Sequence, residues 1–245
     1  MEATATEMKN NFGQYLEEVM ERDTDVVITR NGKKVARLTP YVIDVERYFT
    51  IKENAIDYVY GGKKISYEEY LVMNEMSSQR SEYMNGEVIL MSSPNVMHQM
   101  IVNRISFTFQ TWFQGKPCQS FTAPFDLHLK KKGLTEPDVV QPDLLVACDL
   151  NQGVNEKGRY MGTPALVVEI LSESTRSRDM VDKLNSYMLS GINEYWIVDM
   201  MYNKIMMYEF KNAGIGRFNI FESGLCRSFF FEGLVVEVEG IFAGI

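Results

Sequence analysis

The sequence predicts an α/β protein in which helices flank a mixed β-sheet, preceded by a small α+β unit. Two nearly uniform apolar segments, 139–147 and 165–171, are typical of strands buried on both faces of such a sheet. Helical patterns alternate with strand patterns along the same part of the chain. A compact strand–helix–hairpin pattern over residues 1–41 predicts the small unit, and 245 residues are enough for both.

The small unit is predicted from local patterns. Strands are expected at 3–6, 25–29 and 34–39, and the last two form a hairpin that ends at Pro40. The helix over 11–21 has one apolar face, which consists of Phe12, Tyr15, Leu16, Val19 and Met20. A segment this short buries too little surface to be stable alone. We therefore expect it to lean on the rest of the chain or to form a homodimer that buries the Phe12–Tyr15–Val19 face.

The larger unit is predicted to span 65–245, after a connector over 42–64. Its first helix has a capping box of Ser66 and Glu69, and Asn85-Gly86 predicts the turn of a hairpin. The predicted elements are a helix over 66–76, strands over 82–84 and 87–91, a helix over 96–113, a strand over 121–129, the two apolar strands, a helix over 177–189, a strand over 195–199 and three further strands up to residue 238.

Composition restricts the class of protein. A hydrophobic content of 45% and a charged content of 24% are ordinary globular values, and no apolar run approaches the roughly 18 residues of a membrane span. Cys118, Cys148 and Cys226 are odd in number and widely spaced, which predicts neither a disulfide framework nor a zinc site. We expect a cytoplasmic protein without membrane contact. The net charge of −8 argues against a broad phosphate-binding surface but not against a local nucleic-acid cleft.

The strongest functional signal is a pair of carboxylates inside the apolar strands, Asp143 and Glu169. An unpaired charge in a buried strand is costly, so each group must be neutral, paired or bound to a metal. Two carboxylates on successive strands can converge on one divalent cation, and hard oxygen ligands suit Mg²⁺ or Mn²⁺. The structural alternative is a strand-end aspartate beside a buried Glu–Lys or Glu–Arg pair.

A third charged group follows on the helix after Glu169. Asp179 and Lys183 are four residues apart and share a helical face. Lys183 can reach the carboxylates from there, orient an attacking water and offset negative charge in a transition state. The alternative is a surface ion pair worth roughly a few tenths of a kcal/mol.

Three further residues are candidates for supporting roles. His98 opens the long helix, where a capping or core role is the alternative to a role in the site. Glu82 and Glu87 flank the hairpin turn; a solvated surface position is the default for both, although either can point into a cleft. His128 alternates with apolar neighbours and is interpreted as structural. The motifs of P-loop, dinucleotide-binding and serine-hydrolase proteins are absent from the sequence.

Several of these residues occur in an order that resembles a known family over about residues 66–210. The matching segments are Gly86-Glu87, Ser93-Pro94 with His98, Gln141-Pro142-Asp143, the stretch 167–172, Asp179 with Lys183, and the stretch 194–199. They resemble the Uma family of restriction-endonuclease-like proteins, which looks like a branch of the PD-(D/E)XK nucleases. The resemblance implies a mixed sheet flanked by helices and Mg²⁺ held by one Asp and one Glu.

Carried over to this chain, the resemblance makes Asp143 the motif aspartate and Glu169 the motif glutamate. The usual lysine two residues after the glutamate is absent, because that position is Leu171. The resemblance implies that the lysine has moved to the following helix, as Lys183. A second departure is Glu173, where the family tends to have proline, which affects the loop rather than the ligands.

The first 40 residues resemble the Phd/YefM antitoxin family, on the stretches 5–12 and 27–36. That resemblance implies a dimeric DNA-binding module, with Arg30, Lys33, Lys34 and Arg37 as its basic stretch. The alternative for these four residues is a solvated hairpin.

Two functions are therefore predicted. The first is a metal-dependent nuclease that hydrolyses phosphodiester bonds of nucleic acid, with DNA as the expected substrate. The alternative is a non-catalytic DNA-binding regulator, similar to an antitoxin, in which the nuclease-like domain is a scaffold. A cation between the two carboxylates favours the enzyme, and a Lys or Arg that fills this space favours the regulator.

Overall fold

The computed structural model describes residues 1–22, 25–38, 64–91, 93–172 and 176–244. The chain divides into two compact units, Met1–Tyr58 and Val59–Ile245. The predicted connector over 42–64 lies outside the described residues except for Lys64, and so do Pro40 and Glu173. The predicted boundaries 1–41 and 65–245 therefore stay predictions.

The small unit is a three-stranded sheet with two helices. Its elements are β1 (Glu2–Thr4), α1 (Ala5–Asn10), α2 (Phe12–Arg22), β2 (Val26–Arg30) and β3 (Lys33–Leu38). The sheet order is β1-β2-β3, with β1 parallel and β3 antiparallel to β2. The predicted strand over 3–6 is wrong in its second half, because Thr4 and Glu7 form a capping box that starts α1 at Ala5.

The apolar face of α2 differs from the predicted one. Val19 is buried within the unit together with Ala3, Met8 and Val26, and Tyr15 packs against this cluster. Phe12 and Met20 are instead exposed, by 51% and 71%. The prediction that Val19 is buried by a second copy is wrong, since Val19 is buried within the small unit, whereas Tyr15 is half-buried and the homodimer itself stays a prediction.

The larger unit contains the remaining strands, which form two principal sheets and a small hairpin. They are β4 (Ser81–Met84), β5 (Glu87–Leu90), β6 (Gln119–Thr122), β7 (Leu127–Leu129), β8 (Asp138–Val140), β9 (Leu144–Ala147), β10 (Leu166–Leu171), β11 (Glu194–Asp199), β12 (Lys204–Lys211), β13 (Gly214–Phe221), β14 (Leu225–Arg227) and β15 (Val235–Glu237). One sheet has the order β13-β12-β11-β10-β9-β6, and the other has the order β5-β4-β8-β7. Because β10 and β11 are parallel and their other neighbours antiparallel, the predicted mixed sheet is confirmed.

The predicted single strand over 139–147 is wrong. It consists of β8 and β9, which belong to different sheets and are separated by Gln141, Pro142 and Asp143. Pro142 has no N–H for a ladder, and the N–H of Gln141 donates to the side chain of Glu82 at 2.9 Å. The predicted strand over 121–129 divides in the same way, into β6 and β7.

The helices cover both faces of the six-stranded sheet. They are α3 (Tyr67–Met76), α4 (Val96–Phe113), α5 (Leu150–Gly153), α6 (Leu184–Leu189) and α7 (Val238–Phe242). The capping box of Ser66 and Glu69 is confirmed. The predicted helix over 177–189 is a π-helical segment, Arg178–Lys183, that continues into α6.

Alternate residues of β10 face opposite cores. Leu166 and Val168 belong to the cluster on the α4 side, with Phe109 and Trp196. Val167 and Leu171 belong to the cluster on the α6 side, which includes Tyr187. Since side chains alternate along a strand, Glu169 faces the α6 side.

The cysteines differ from the prediction. Cys118 and Cys148 form a disulfide, and Cys226 is free and buried. Although Cys118 and Cys148 are separated by 30 positions in sequence, they lie next to Gln119 of β6 and Ala147 of β9, which are paired in the sheet. The expectation that these cysteines form no disulfide is wrong, and the cytoplasmic location stays a prediction. Within the described ranges, no helix is long and apolar enough to cross a membrane.

Candidate active site

Glu169 lies in the middle of β10 and is held by two donors from the helical segment that follows. Its Oε1 accepts hydrogen bonds from Lys183 Nζ at 2.8 Å and from Tyr187 OH at 2.6 Å. Lys183 ends the π-helical segment and Tyr187 lies four residues later in α6, so both side chains extend from one side of the helix toward the strand.

Lys183 contacts three carboxylates at once. Its Nζ lies 2.8 Å from Glu82 Oε1, 2.8 Å from Glu169 Oε1 and 3.5 Å from Asp179 Oδ1. The residue is only 3% exposed. Burial alone lowers the pKa of this ammonium, but the carboxylates of Glu169, Glu82 and Asp179 outweigh burial, so its pKa is held well above the usual value. Lys183 is therefore charged, and its predicted contact with Asp179 is present.

The pKa of the Glu169 carboxyl is raised, whereas the pKa of a carboxyl in an exposed ion pair is lowered. Burial raises its pKa well above the usual value, Lys183 opposes this effect, and Asp179, Asp143 and Glu82 add to it. Three carboxyl groups lie around the Lys183 ammonium, and Arg178 brings a second positive charge to 3.9 Å from Glu82. A cation beside Glu169 would favour the ionised form of its carboxyl.

Asp143 immediately precedes β9, and its side chain contacts the main chain of β10. Its Oδ2 accepts the Ile170 N–H at 2.8 Å and lies 3.1 Å from His98 Nε2. A carboxylate oxygen only accepts, so His98 Nε2 carries the proton in this contact. The last ladder pair of β9 and β10 is Leu144 with Val168. Asp143 and Glu169 are the next residues beyond that pair, Asp143 just outside β9 and Glu169 within β10.

Each of these two carboxylates keeps one oxygen without a hydrogen bond. Among the residues that the structure describes, the hydrogen bonds to the Asp143 side chain use Oδ2 and those to the Glu169 side chain use Oε1, so Asp143 Oδ1 and Glu169 Oε2 receive none. Two open carboxylate oxygens are hard ligands of the kind Mg²⁺ and Mn²⁺ prefer. The donor set therefore fits a divalent cation.

The number of protein ligands is small. In the described part of the chain, no group of three or more His, Cys, Asp and Glu residues is arranged to hold a metal ion. Mg²⁺ characteristically binds through one or two carboxylates and completes its octahedron with water and substrate phosphate oxygens. A two-carboxylate site is thus typical of an ion that binds together with a phosphate substrate.

Glu82 is part of the site although its sequence position suggests the surface. It is 1% exposed, and its Oε1 accepts both the Gln141 N–H and the Lys183 ammonium. It therefore connects the turn before Asp143 to Lys183. Glu87 is exposed, and no described contact brings it to the site.

Two residues that sequence reasoning did not select contribute to this arrangement. Tyr187 is bound to Glu169, and its position four residues after Lys183 was the available signal. Ser186 donates to the buried Asp138 at 2.6 Å, and Asp138 pairs with Lys131 at 2.7 Å. This second pair fastens α6 to β8, which no local pattern of sequence indicates.

The basic stretch of the small unit lies on an exposed hairpin. Arg30 and Lys33 are exposed and form no ion pair within the described residues, whereas Lys34 pairs with Glu2 and Arg37 with Asp25. His128, interpreted as structural, is buried and lies 2.8 Å from the hydroxyl of Tyr67.

The larger unit has a restriction-endonuclease-like fold. Residues 67–225 match the Uma2 family, described as "Putative restriction endonuclease", and the chain belongs to this family. Residues 1–57 match the family described as "Antitoxin Phd_YefM, type II toxin-antitoxin system". The resemblances stated from the sequence are confirmed for both parts.

Individual relatives agree with this assignment. Two uncharacterized proteins of Synechocystis are similar: one is 26% identical over 62% of this chain and 77% of its own length, and the other is 20% identical over 60% and 81%. A crystal structure described as a "putative nuclease belonging to DUF820", from Anabaena variabilis, superposes with a TM-score of 0.60 at 18% identity. It covers 73% of this chain and 97% of the other, which shows that the fold is shared.

Proposed function

We propose that this protein is a metal-dependent endonuclease that hydrolyses phosphodiester bonds of DNA, with Mg²⁺ or Mn²⁺ bound by Asp143 and Glu169. The observation that carries the proposal is the pair of oxygens without a described hydrogen bond, Asp143 Oδ1 and Glu169 Oε2, on residues that lie one position beyond the last ladder pair of β9 and β10. Neighbouring buried groups hold the other oxygen of each carboxylate in place.

A divalent cation at this position would polarise the phosphodiester and make water a stronger nucleophile at neutral pH. The chain's own residues prepare that position. Asp143 and Glu169 supply negative oxygens, and the Ile170 N–H fixes Asp143 against β10. Burial on the α6 side keeps bulk water from the inner oxygens, which strengthens every charge interaction there.

Lys183 contributes charge in this proposal rather than a hydrogen bond to substrate. Its ammonium has three N–H groups, and it contacts three carboxylates. The sequence-based expectation that Lys183 orients the attacking water therefore requires one of these contacts to open. As arranged, the ammonium offsets the charge of Glu82 and Glu169 and holds Glu169 in place.

The experiment is a cleavage assay with the full chain on plasmid DNA, with Mg²⁺ or Mn²⁺ and with EDTA. We expect nicking that requires the cation and that Asp143→Asn abolishes. Asp182→Asn is the matched control, because Asp182 is exposed on the same helical segment as Lys183. The proposal would be contradicted if the protein showed no cation-dependent cleavage of double-stranded DNA, of single-stranded DNA or of RNA.

The small unit supports DNA as the substrate. Its exposed Arg30 and Lys33 can contact phosphates, and its relatives by sequence are antitoxins. We propose that it delivers the chain to DNA. Replacing both residues by Ala is expected to weaken DNA binding about uniformly across sequences and to lower its salt dependence, in a fluorescence-anisotropy titration.

A homodimer is proposed through the exposed face of α2. Phe12, Leu16 and Met20 recur every four residues and are exposed, which forms an apolar stripe suited to a second copy. Phe12→Ser with Met20→Ser is expected to yield monomers in light scattering, whereas Glu17→Ser on the same helix leaves the dimer. A wild-type monomer at micromolar concentration would contradict this arrangement.

A second function, the non-catalytic DNA-binding regulator, is favoured by one observation. Lys183 pairs with Glu169 at 2.8 Å, as a purely structural ion pair would. For a regulator, the chain would bind the DNA upstream of its own gene without cutting it, and Asp143→Asn would change nothing. The cleavage assay above separates the two functions.

A further inference from the structure

We propose that His98 and Tyr187 are positioning residues, which hold Asp143 and Glu169 each by one oxygen and thereby direct the other oxygen of each toward a shared cation. This inference rests on the proposed function. It concerns His98 in the first turn of α4 and Tyr187 in α6, two helices that pack on opposite faces of the six-stranded sheet.

Tyr187 is suited to fix Glu169 because it is itself fixed. The residue has 0% exposure, and its ring packs against Tyr195 at a centroid distance of 4.8 Å. Its hydroxyl donates to Glu169 Oε1 at 2.6 Å and has no other hydrogen-bond partner among the described residues. Lys183 contacts the same oxygen, but its ammonium also contacts Glu82 and Asp179. Tyr187 is therefore the donor that is specific to Glu169.

His98 has the corresponding place at Asp143. Its backbone N–H is capped by Asn95 at 2.8 Å, which anchors the residue in the first turn of α4. Its Nε2 lies 3.1 Å from Asp143 Oδ2, on the oxygen that the Ile170 N–H also contacts. His98 Nδ1 is buried and has no hydrogen-bond partner within the described residues. Among the described residues, the ring thus makes a single polar contact, and that contact is with Asp143.

The two contacts have one geometric consequence. A carboxylate can rotate and exchange its oxygens, and a donor fixed on one oxygen suppresses this exchange. With His98 on Oδ2 of Asp143 and Tyr187 on Oε1 of Glu169, Oδ1 and Oε2 are the oxygens left open. Partners that orient metal ligands in this way typically change metal affinity 10–100-fold when they are removed, roughly the effect expected here.

The experiment measures Mn²⁺ binding by the full chain without substrate, by calorimetry and by electron paramagnetic resonance. Tyr187→Phe is expected to weaken Mn²⁺ binding about 10–100-fold and to change the Mn²⁺ line shape. Tyr195→Phe is the matched control. It also removes a hydroxyl from a fully buried tyrosine, but one that donates to the main-chain oxygen of Asp179. Its Mn²⁺ affinity should stay within about threefold of wild type, since a backbone acceptor does not orient a ligand.

His98 is tested with a loss and a rescue. His98→Leu should weaken Mn²⁺ binding, and His98→Gln should restore most of it, because the glutamine Nε2 can donate from nearly the place of the imidazole Nε2. Urea unfolding of each variant separates a loss of folding from a loss of orientation.

The possible failures are distinguishable. Wild-type Mn²⁺ binding that Asp143→Asn does not weaken would overturn the proposed cation site and this inference with it. Binding that Asp143→Asn abolishes but Tyr187→Phe and His98→Leu leave unchanged would overturn the positioning roles alone. Equal losses in His98→Leu and His98→Gln would show that His98 acts through packing, which also contradicts the inference.

Discussion

Glu169 and Glu194 are both buried glutamates on adjacent central strands, yet their surroundings differ. Glu194 is bound by neutral donors on both oxygens: Trp196 Nε1 and the Phe229 N–H contact Oε1, and Ser228 Oγ and the Phe230 N–H contact Oε2. Glu169 has an ammonium and a hydroxyl on Oε1 and an open Oε2. Both carboxylate oxygens of Glu194 are therefore hydrogen-bonded, whereas Glu169 has one oxygen without a hydrogen bond among the described residues.

The comparison shows that burial of a carboxylate does not by itself mark a functional site. The two glutamates face opposite sides of the sheet, since Trp196 and Val198 belong to the α4 core whereas Val167 and Leu171 belong to the α6 core. Glu194 fastens the segment around Ser228 to β11 with four hydrogen bonds. Its charge is spread over donors that need no cation. Glu169 is distinguished by one oxygen that has no hydrogen bond within the described residues and by its place in a buried cluster of charged groups.

The largest expected effect separates the two glutamates by catalysis. Glu169→Gln removes a cation ligand, so DNA cleavage should fall by roughly three orders of magnitude, equivalent to several kcal/mol of transition-state stabilisation. Glu194→Gln should leave turnover within about threefold. Initial rates of plasmid nicking measure both. An equal loss of nicking rate in the two variants would contradict the distinction between Glu169 as a residue of the active site and Glu194 as a structural residue.

The second prediction concerns the charge balance around Glu169. The sequence alone predicts that Lys183→Met reduces turnover by roughly two orders of magnitude and leaves folding intact. Lys183 is buried among three carboxylates, and its loss removes the positive charge that all three contact, while Arg178 stays 3.9 Å from Glu82. We therefore expect the free energy of unfolding to fall by about 3–5 kcal/mol. Urea titration tests this. Lys183→Arg, which keeps the charge, should lose less, and an unchanged midpoint for Lys183→Met would contradict the burial argument.

The third prediction concerns stability at Glu194. A glutamine there keeps the shape but directs one NH₂ toward groups that also donate, such as the Phe230 N–H. Leaving such a buried donor unsatisfied costs about 1–3 kcal/mol of unfolding free energy. Mn²⁺ affinity, measured on the same sample, should not change. A loss of Mn²⁺ binding in Glu194→Gln would mean that the two sides of the sheet are coupled.

The smallest effect extends the comparison to Glu209, the ladder partner of Glu194 on β12. Two hydrogen bonds from Arg217 at 2.7 Å lower the pKa of Glu209 to about 2. A lowered folded-state pKa stabilises the fold above the unfolded-state pKa of about 4.3 and loses this contribution as pH falls toward 2. Wild type should therefore exceed Glu209→Gln in stability at pH 6, and the difference should shrink between pH 5 and pH 3. A difference independent of pH would show that the ion pair does not contribute.

Much of the fold could be predicted from the sequence because its signals are local. The capping box of Ser66 and Glu69, the Asn85-Gly86 turn and the long helix over 96–113 all have the predicted positions. The division of 139–147 between two sheets could not be predicted, since it depends on Glu82 capturing the Gln141 N–H from 59 residues away. The Cys118–Cys148 disulfide likewise depends on the pairing of β6 with β9.

For the candidate site, the sequence selects the charged residues but not their partners. Asp143, Glu169 and Lys183 stand out because charge interrupts apolar or helical patterns. Tyr187 and Glu82 do not, because a tyrosine in a helix and a glutamate beside a turn are ordinary at the surface. Their roles follow from burial and distance, which only the tertiary fold defines. The catalytic assignment of all these residues remains a prediction.

The most direct test of the central claim is a crystal of the full chain soaked with Mn²⁺ and measured for anomalous scattering. A divalent cation should lie within about 2.0–2.3 Å of both Asp143 Oδ1 and Glu169 Oε2, with waters in its remaining positions, as expected for an octahedral hard ion. The Lys183 contacts with Glu169 and Glu82 should persist beside it. An anomalous map without a peak at these two oxygens, or with Lys183 moved between them in its place, would contradict the account.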